Sequence, residues 1–196
     1  MVDDNNYKIE KELTKGQVIE VSGIANFNDW WIDSDFFQKG TDGKLTFLPV
    51  SGKYRITANF ERNYFIVEHM DGNDLSALDK DGNAIWVIGW GIGKPTYDNN
   101  VNWSPDKGLC MAKIGDKKFQ LTFKPYPVTF NGDGTIANKY DFKFFYQKNW
   151  GGEFLGADYV STQTDMIYKE NMPYLHDCNR NFPYFCVSIF RFFISN

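Results

Sequence analysis

Histidine is nearly absent from this chain, which has only His69 and His176, and cysteine is scarce. Cys110, Cys178 and Cys186 form an odd set without a CxxC spacing, which argues against a zinc cluster. Cys178 and Cys186 either bridge in an oxidising compartment or remain buried thiols. There is no Lys/Arg run, and the formal net charge is -4. The electrostatic footprint of a nucleic-acid binder is therefore missing. Long apolar sequence is lacking too: the longest stretch, Phe182 to Ile194, is too short for a membrane span and carries Arg191. Met1 to Glu12 is polar and acidic, so no signal peptide is visible, which does not make the protein cytoplasmic. Leu and Ala, the usual apolar bulk of helical proteins, are sparse among the 196 residues. No cofactor or metal motif is legible.

What the chain has instead is aromatic residues: 18 Phe, 11 Tyr and 6 Trp. With Gly and Pro at ordinary levels, that content points to β structure with flat aromatic surfaces. Strand signals recur at short intervals. Val18 to Val21, Leu45 to Phe47, Tyr64 to Glu68 and Ala84 to Ile88 are β-rich runs. Lys53 to Asn59 alternates with Tyr54, Ile56 and Ala58 on one face. Lys118 to Lys124 does the same with Phe119, Leu121 and Phe123, and Tyr140 to Tyr146 follows. Turn pairs lie between them at Asp42-Gly43, Asp71-Gly72, Asp81-Gly82 and Asp133-Gly134. No window longer than ten residues has a helical period. The reading is all-β, a sandwich or barrel rather than an α/β fold.

A weak internal repeat divides the chain. Ile19-Glu20-Val21-Ser22-Gly23 resembles Trp86-Val87-Ile88-Gly89, and Lys53-Tyr54-Arg55-Ile56-Thr57 matches Lys118-Phe119-Gln120-Leu121-Thr122. Two tandem antiparallel β-sandwich modules are expected, residues 1–78 and 79–196, with the boundary in the polar stretch Asp71 to Asn83. One larger sandwich is the alternative.

Several tempting motifs fail. Gly89-Trp90-Gly91-Ile92-Gly93-Lys94 is no phosphate loop, because its glycines are too close and Pro95 occupies the hydroxyl position. Asp79-Lys80-Asp81-Gly82-Asn83 lacks the closing acid of a calcium loop and reads as a hairpin turn. No Gly-x-Ser-x-Gly elbow exists, and neither histidine sits in a triad context. Glu61, Glu68 and Glu153 form no pair that sequence can measure. The chain therefore reads as non-catalytic.

The chemistry lies with tryptophans in polar loops. Trp90 ends a strand run, Tyr97 and Trp103 lie in the Lys94 to Lys107 loop, and Trp150 sits in Asn149-Trp150-Gly151-Gly152. Exposed flat rings stack on the apolar C–H faces of sugars, and Lys94, Lys143, Lys148 and Asn149 are placed to bond hydroxyls. Trp86, inside a strand, reads as core. For Trp103 and Trp150, core plug and sugar platform both stand open. Trp30-Trp31-Ile32-Asp33-Ser34-Asp35-Phe36-Phe37 is dense enough to be packing.

These segments resemble a known family. Ala84 to Gly89, the Trp103-Ser104-Pro105 loop, Phe119 to Thr122, and Asp141-Phe142-Lys143-Phe144-Phe145 before Trp150-Gly151-Gly152 are similar to the tandem modules of SusE/SusF-type proteins. The resemblance covers most of residues 14–165. It implies immunoglobulin-like sandwiches of an outer-membrane lipoprotein that binds starch-type oligosaccharides at the cell surface, beside glycan transporter proteins. It also implies Trp103, Trp150 and Trp90 as stacking rings, with Lys143 or Lys148 as a polar contact. The lipid-attachment cysteine of that family is absent here, so any anchor lies outside this sequence. The alternative is a structural or assembly subunit of an outer-membrane complex. From about Lys169 the chain departs from the family. A divergent or frame-shifted tail with an unpaired strand edge is the expectation there.

Overall fold

The computed structural model describes residues 5–96, 98–122, 124–125, 129–130, 136–137, 141–154, 167–169, 175–177 and 189–193. Tyr97, Asp133-Gly134, Cys178 and Cys186 lie outside them. The protein is all-β, built of antiparallel sheets, as the alternation predicts. In chain order the first strands are β1 (Asn6–Leu13), β2 (Val18–Ile19), β3 (Phe37–Lys39), β4 (Leu45–Phe47), β5 (Gly52–Asn59), β6 (Tyr64–Asp71) and β7 (Asp74–Leu75). Then come β8 (Trp86–Trp90), β9 (Ile92–Gly93), β10 (Leu109–Cys110), β11 (Ala112–Gly115), β12 (Lys118–Thr122) and β13 (Lys124–Pro125). The last are β14 (Thr129–Phe130), β15 (Ile136–Ala137), β16 (Asp141–Phe145), β17 (Ile167–Lys169), β18 (Leu175–Asp177) and β19 (Ile189–Phe193). Among the described residues no helix is long and apolar enough to cross a membrane.

Two compact units form. The first comprises residues 1–84, 110–122 and 190–196. Its larger sheet has the order β1-β5-β6-β7, and a smaller one runs β2-β4-β3. Their apolar faces meet in one core. Leu13, Tyr54 and Val67 come from the first sheet, and Phe37, Leu45 and Phe47 from the second, with Phe36 and Ala112 completing it. Tyr54 and Ile56 face inward as their spacing requires, while Lys53 and Arg55 face out and pair with Glu10 at 3.1 Å each. The hydrogen bond from Lys53, then that from Arg55, holds the Glu10 carboxyl below its ordinary value. The β6–β7 hairpin turns through Gly72 and Asn73, with Gly72 at φ +60°. The Asp-Gly pair thus marks a two-residue hairpin, with Asp71 closing the strand and the glycine taking the first loop position.

Trp30 is buried against Phe60 and Phe65, with ring centroids 5.0 Å away in each case, so the Trp-Trp-Ile-Asp stretch packs within this unit. The Asp33 and Asp35 carboxylates that follow are buried as well. Asp35 accepts hydrogen bonds from Thr122 N at 2.5 Å, Thr122 Oγ1 at 2.9 Å and Gln120 Nε2 at 3.0 Å. It thereby ties β12 to the core. β11 is fastened by Val50 N donating to Lys113 O and by Lys113 Nζ donating to Gly82 O and Asn83 Oδ1. This unit thus takes the β11–β12 hairpin from well beyond residue 84. β19 lies next to β12 in that sheet, so the strand edge expected to be open in the tail has a neighbour.

The second unit comprises residues 85–109 and 123–189. Its main sheet has the order β10-β8-β16-β18-β17. β8 and β16 form its centre, antiparallel, pairing Trp86 with Phe145, Ile88 with Lys143 and Trp90 with Asp141. Ile85 to Ile88, Phe142, Phe144 and Phe145 are buried there, which is why these stretches read as nearly continuous apolar runs.

Candidate functional site

The period of two along β8 puts Trp86, Ile88 and Trp90 on one sheet face, and direct pairing puts Lys143 and Phe145 of β16 on that same face. Trp86, Ile88 and Phe145 are wholly covered, whereas Trp90 and Lys143 are half-buried. What covers the face is the loop after β16. Lys148 Nζ stands 5.4 Å over the centroid of the Trp86 ring, within cation–π range. Trp150 stacks edge-on against Phe145, centroids 5.8 Å apart, and the residue remains 48% exposed.

That loop is a well-tied hairpin. Tyr146 N donates to Gly152 O and Phe154 N to Phe144 O. At the tip Trp150 N donates to Asn149 Oδ1 and Gln147 Nε2 to Trp150 O. Gly151 and Gly152, at φ +83° and +69°, take the left-handed turn that other residues resist. The Trp-Gly-Gly signal therefore has a mechanical meaning: the glycines allow the reversal that presents the ring.

The Trp103 loop reaches the same face through Gly108. Gly108, closing the short 3-10 turn Pro105–Lys107, packs closely: a Cβ there would lie 3.0 Å from Pro105 O, 3.3 Å from Ile88 Cγ1 and 3.6 Å from Lys148 Cγ. Asn102 and Trp103 are both left-handed, at φ +51° and +54°. Such strain at a bulky residue persists only where its surroundings impose it. Here Asn100 Oδ1 accepts from Gly91 N and Asn102 N, and Val101, buried, donates its N–H to Ile92 O. Gly93 anchors the base, since a Cβ would sit 2.7 Å from both Asn99 O and Thr96 O. Trp103 itself is half-buried.

The structure thus brings Trp90, Lys143, Lys148 and Trp150 to one face, with the Trp103 loop packed at its margin through Gly108. Lys94 is buried instead, its carbonyl accepting from Asn99 Nδ2. Trp86 is core, as its place inside a strand predicts. Trp90 to Trp86 is four residues of strand, roughly 13 Å at the usual rise, and Trp150 stands beside the residue paired with Trp86. Two aromatic rings therefore flank a stretch topped by two lysines.

A second polar cluster, in the first unit, escaped sequence reading. His69 Nδ1 and Ser76 Oγ are 2.6 Å apart, and Ser76 Oγ donates to Asp81 Oδ2 at 2.6 Å. Because the hydroxyl proton goes to Asp81, His69 donates Nδ1–H to Ser76. This is the reverse of the wiring that activates a serine nucleophile, and Ser76 is buried. Burial pushes the Asp81 carboxyl up, but the bonds from Ser76, Asn83 and Ala77 together hold it below its ordinary value. Burial pushes the His69 imidazole down, Lys113 adding to this and Asp81 opposing it. No residue spacing announces this cluster, since it depends on how β6 and the 76–83 turn meet.

Residues 1–78 match a family described as Domain of unknown function (DUF5125). No curated protein and no solved structure matches the chain. Residues 79–176, half of the chain and the part that carries the tryptophan face, match a second family model, and by that match the protein belongs to the family described as Domain of unknown function (DUF5121).

Proposed function

We propose that this protein binds oligo- or polysaccharide without acting on it, through the tryptophan face of its second unit. The observation that carries the reading is Trp150, a residue nearly half exposed at the tip of a hairpin whose backbone is hydrogen-bonded on both sides. A ring held in this way loses little freedom on binding, and its open face suits the C–H face of a pyranose. Lys148 and Lys143 supply donors between Trp150 and Trp90, and the separation of the two rings fits an oligosaccharide better than a single sugar. Starch-like α-glucan is the ligand favoured by the resemblance to SusE/SusF-type modules. On this reading the sandwiches are immunoglobulin-like, and the protein works at a bacterial cell surface beside an outer-membrane glycan transporter.

Affinity electrophoresis against a panel of soluble polysaccharides tests this, followed by fluorescence titration with the oligosaccharide of the best polymer. Trp150→Ala and Trp90→Ala each remove a stacking ring, about 1 kcal/mol beyond buried area, or a roughly fivefold rise in Kd. If no glycan retards the protein, or both variants titrate as the parent does, binding through these rings is wrong.

A further inference from the structure

The first unit carries an unusual edge. Among the described residues β1 is the outermost strand of its sheet, eight residues long and without a bulge in its pairing to β5. Its core face runs out of cover. Leu13 is buried, but at the other end Ile9 is 57% and Tyr7 46% exposed, with Phe60, 38% exposed, standing edge-on to Tyr7 at 5.4 Å. A long, regular, partly apolar edge is what natural sheets avoid unless something pairs with it.

The backbone fixes which groups face outward. Phe60 N donates to Asn5 O, so residue 5 points its carbonyl towards β5, and with it residues 7, 9, 11 and 13. Lys8, Glu10 and Glu12 therefore direct N–H and C=O away from β5. A second copy of β1 laid antiparallel across a two-fold axis must match outward residues with outward residues, so one residue of the strand faces itself on the axis. An axis at Glu10, Lys8 or Lys11 sets like charges against each other, which is destabilising. An axis at Ile9 does not. There Ile9 meets Ile9, Tyr7 lies opposite the aliphatic stem of Lys11, and Lys8 comes beside the second copy's Glu10 twice over, joining the Lys53 and Arg55 that Glu10 already pairs with in its own sheet. The charges that would ordinarily guard an edge are self-complementary in this one register.

We infer that this protein forms a two-fold dimer by antiparallel pairing of β1 with β1 of a second copy, centred on Ile9. The pairing extends the four-stranded sheet into a continuous eight-stranded one and covers the Tyr7–Ile9 end of the core face. It is independent of the sugar-binding proposal.

Sedimentation across a dilution series reads the association directly. The parent chain is expected to sediment as a dimer at its upper concentrations. Lys8→Glu turns both cross-axis ion pairs into like-charge pairs and is expected to weaken association by at least about tenfold, with a thermal melt that matches the parent's at dilutions where both are monomeric. Ile9→Cys reports the register. Facing residues of a non-hydrogen-bonded pair have Cα atoms about 4.5 Å apart, within reach of a disulfide. Mild oxidation should therefore give a linked dimer above the level of the parent chain. Lys11→Cys, whose counterpart lies four residues along, about 14 Å away, should not. A chain that is monomeric at every concentration, an unaffected Lys8→Glu variant, or equal cross-linking at positions 9 and 11 would each overturn the inference.

Discussion

Asp35 offers the sharpest test of how the first unit is held. Its carboxylate is 1% exposed and accepts three hydrogen bonds from β12, among them the main-chain N–H of Thr122. Asp35→Ala removes the acceptor and leaves all three donors behind. A hydrogen bond to a charged group is worth about 1.5–3 kcal/mol, and a buried donor left unsatisfied costs about 1–3 kcal/mol. Against this, the alanine no longer has to keep a carboxylate out of water, which offsets part of the loss. The net expectation is a destabilisation of roughly 3 kcal/mol, a large share of the 5–15 kcal/mol typical of a domain. With a urea slope of about 1–3 kcal/mol per molar, the midpoint should fall by at least about 1 M. Asp35→Asn keeps one acceptor, and the Gln120 amide can turn to meet its new N–H₂, so roughly half that loss is expected. Urea unfolding followed by tryptophan fluorescence measures both, and hydrogen exchange at Thr122 N–H localises the effect. A midpoint unchanged by Asp35→Ala, with Thr122 protected as before, would refute the claim that this carboxylate fastens β12.

The His69 cluster predicts a pH response. Its imidazole is held below the ordinary value of 6.5, so the unfolded chain binds the proton first and stability falls as pH drops below about 6.5. Above that value the contribution is fully present. His69→Phe should flatten this slope in chemical denaturation at pH 7 against pH 5.5, and an unchanged slope would assign it to other groups. Gly93→Ala forces a methyl into two carbonyl oxygens at the base of the Trp103 loop and should cost about 1–3 kcal/mol. Differential scanning calorimetry would show it, and a melt identical to the parent's would mean that the loop adjusts freely.

The sheet architecture was legible because alternation is local. Lys53 to Asn59 and Leu45 to Phe47 announce β5 and β4 almost to the residue, and the Asp-Gly pairs at 42, 71 and 81 mark left-handed glycines. β1 was not legible. Its charged, exposed sequence reads only as a polar, acidic stretch, and it becomes a strand because β5 offers it a partner. On the candidate face, Trp86 as core follows from its place within a strand, and the exposure of Trp150 follows from the glycines beside it. The strain at Trp103 could not be foreseen, since it is imposed by the Asn100 side chain and by Val101. The His69–Ser76–Asp81 chain and the grip of Asp35 on Thr122 are likewise products of tertiary packing, between residues that carry no shared pattern.

The β11–β12 hairpin has a consequence for how the protein is made. The first unit places Ala112 in its core, hangs Thr122 on Asp35 and sets β19 beside β12, so the β11–β12 part of it is missing until residue 122 has been synthesised and β19 comes later still. All of residues 85–109 emerge from the ribosome in between. During that interval Phe36, Phe37 and Phe47 wait with part of their cover missing, and closure depends on contacts far apart in sequence, which form slowly. A fragment cut after residue 78 would carry the same vacancy permanently. A fragment that is to hold the whole of this unit therefore has to reach past Thr122 and take in β19 as well, wherever a break in the sequence pattern would otherwise invite an earlier cut.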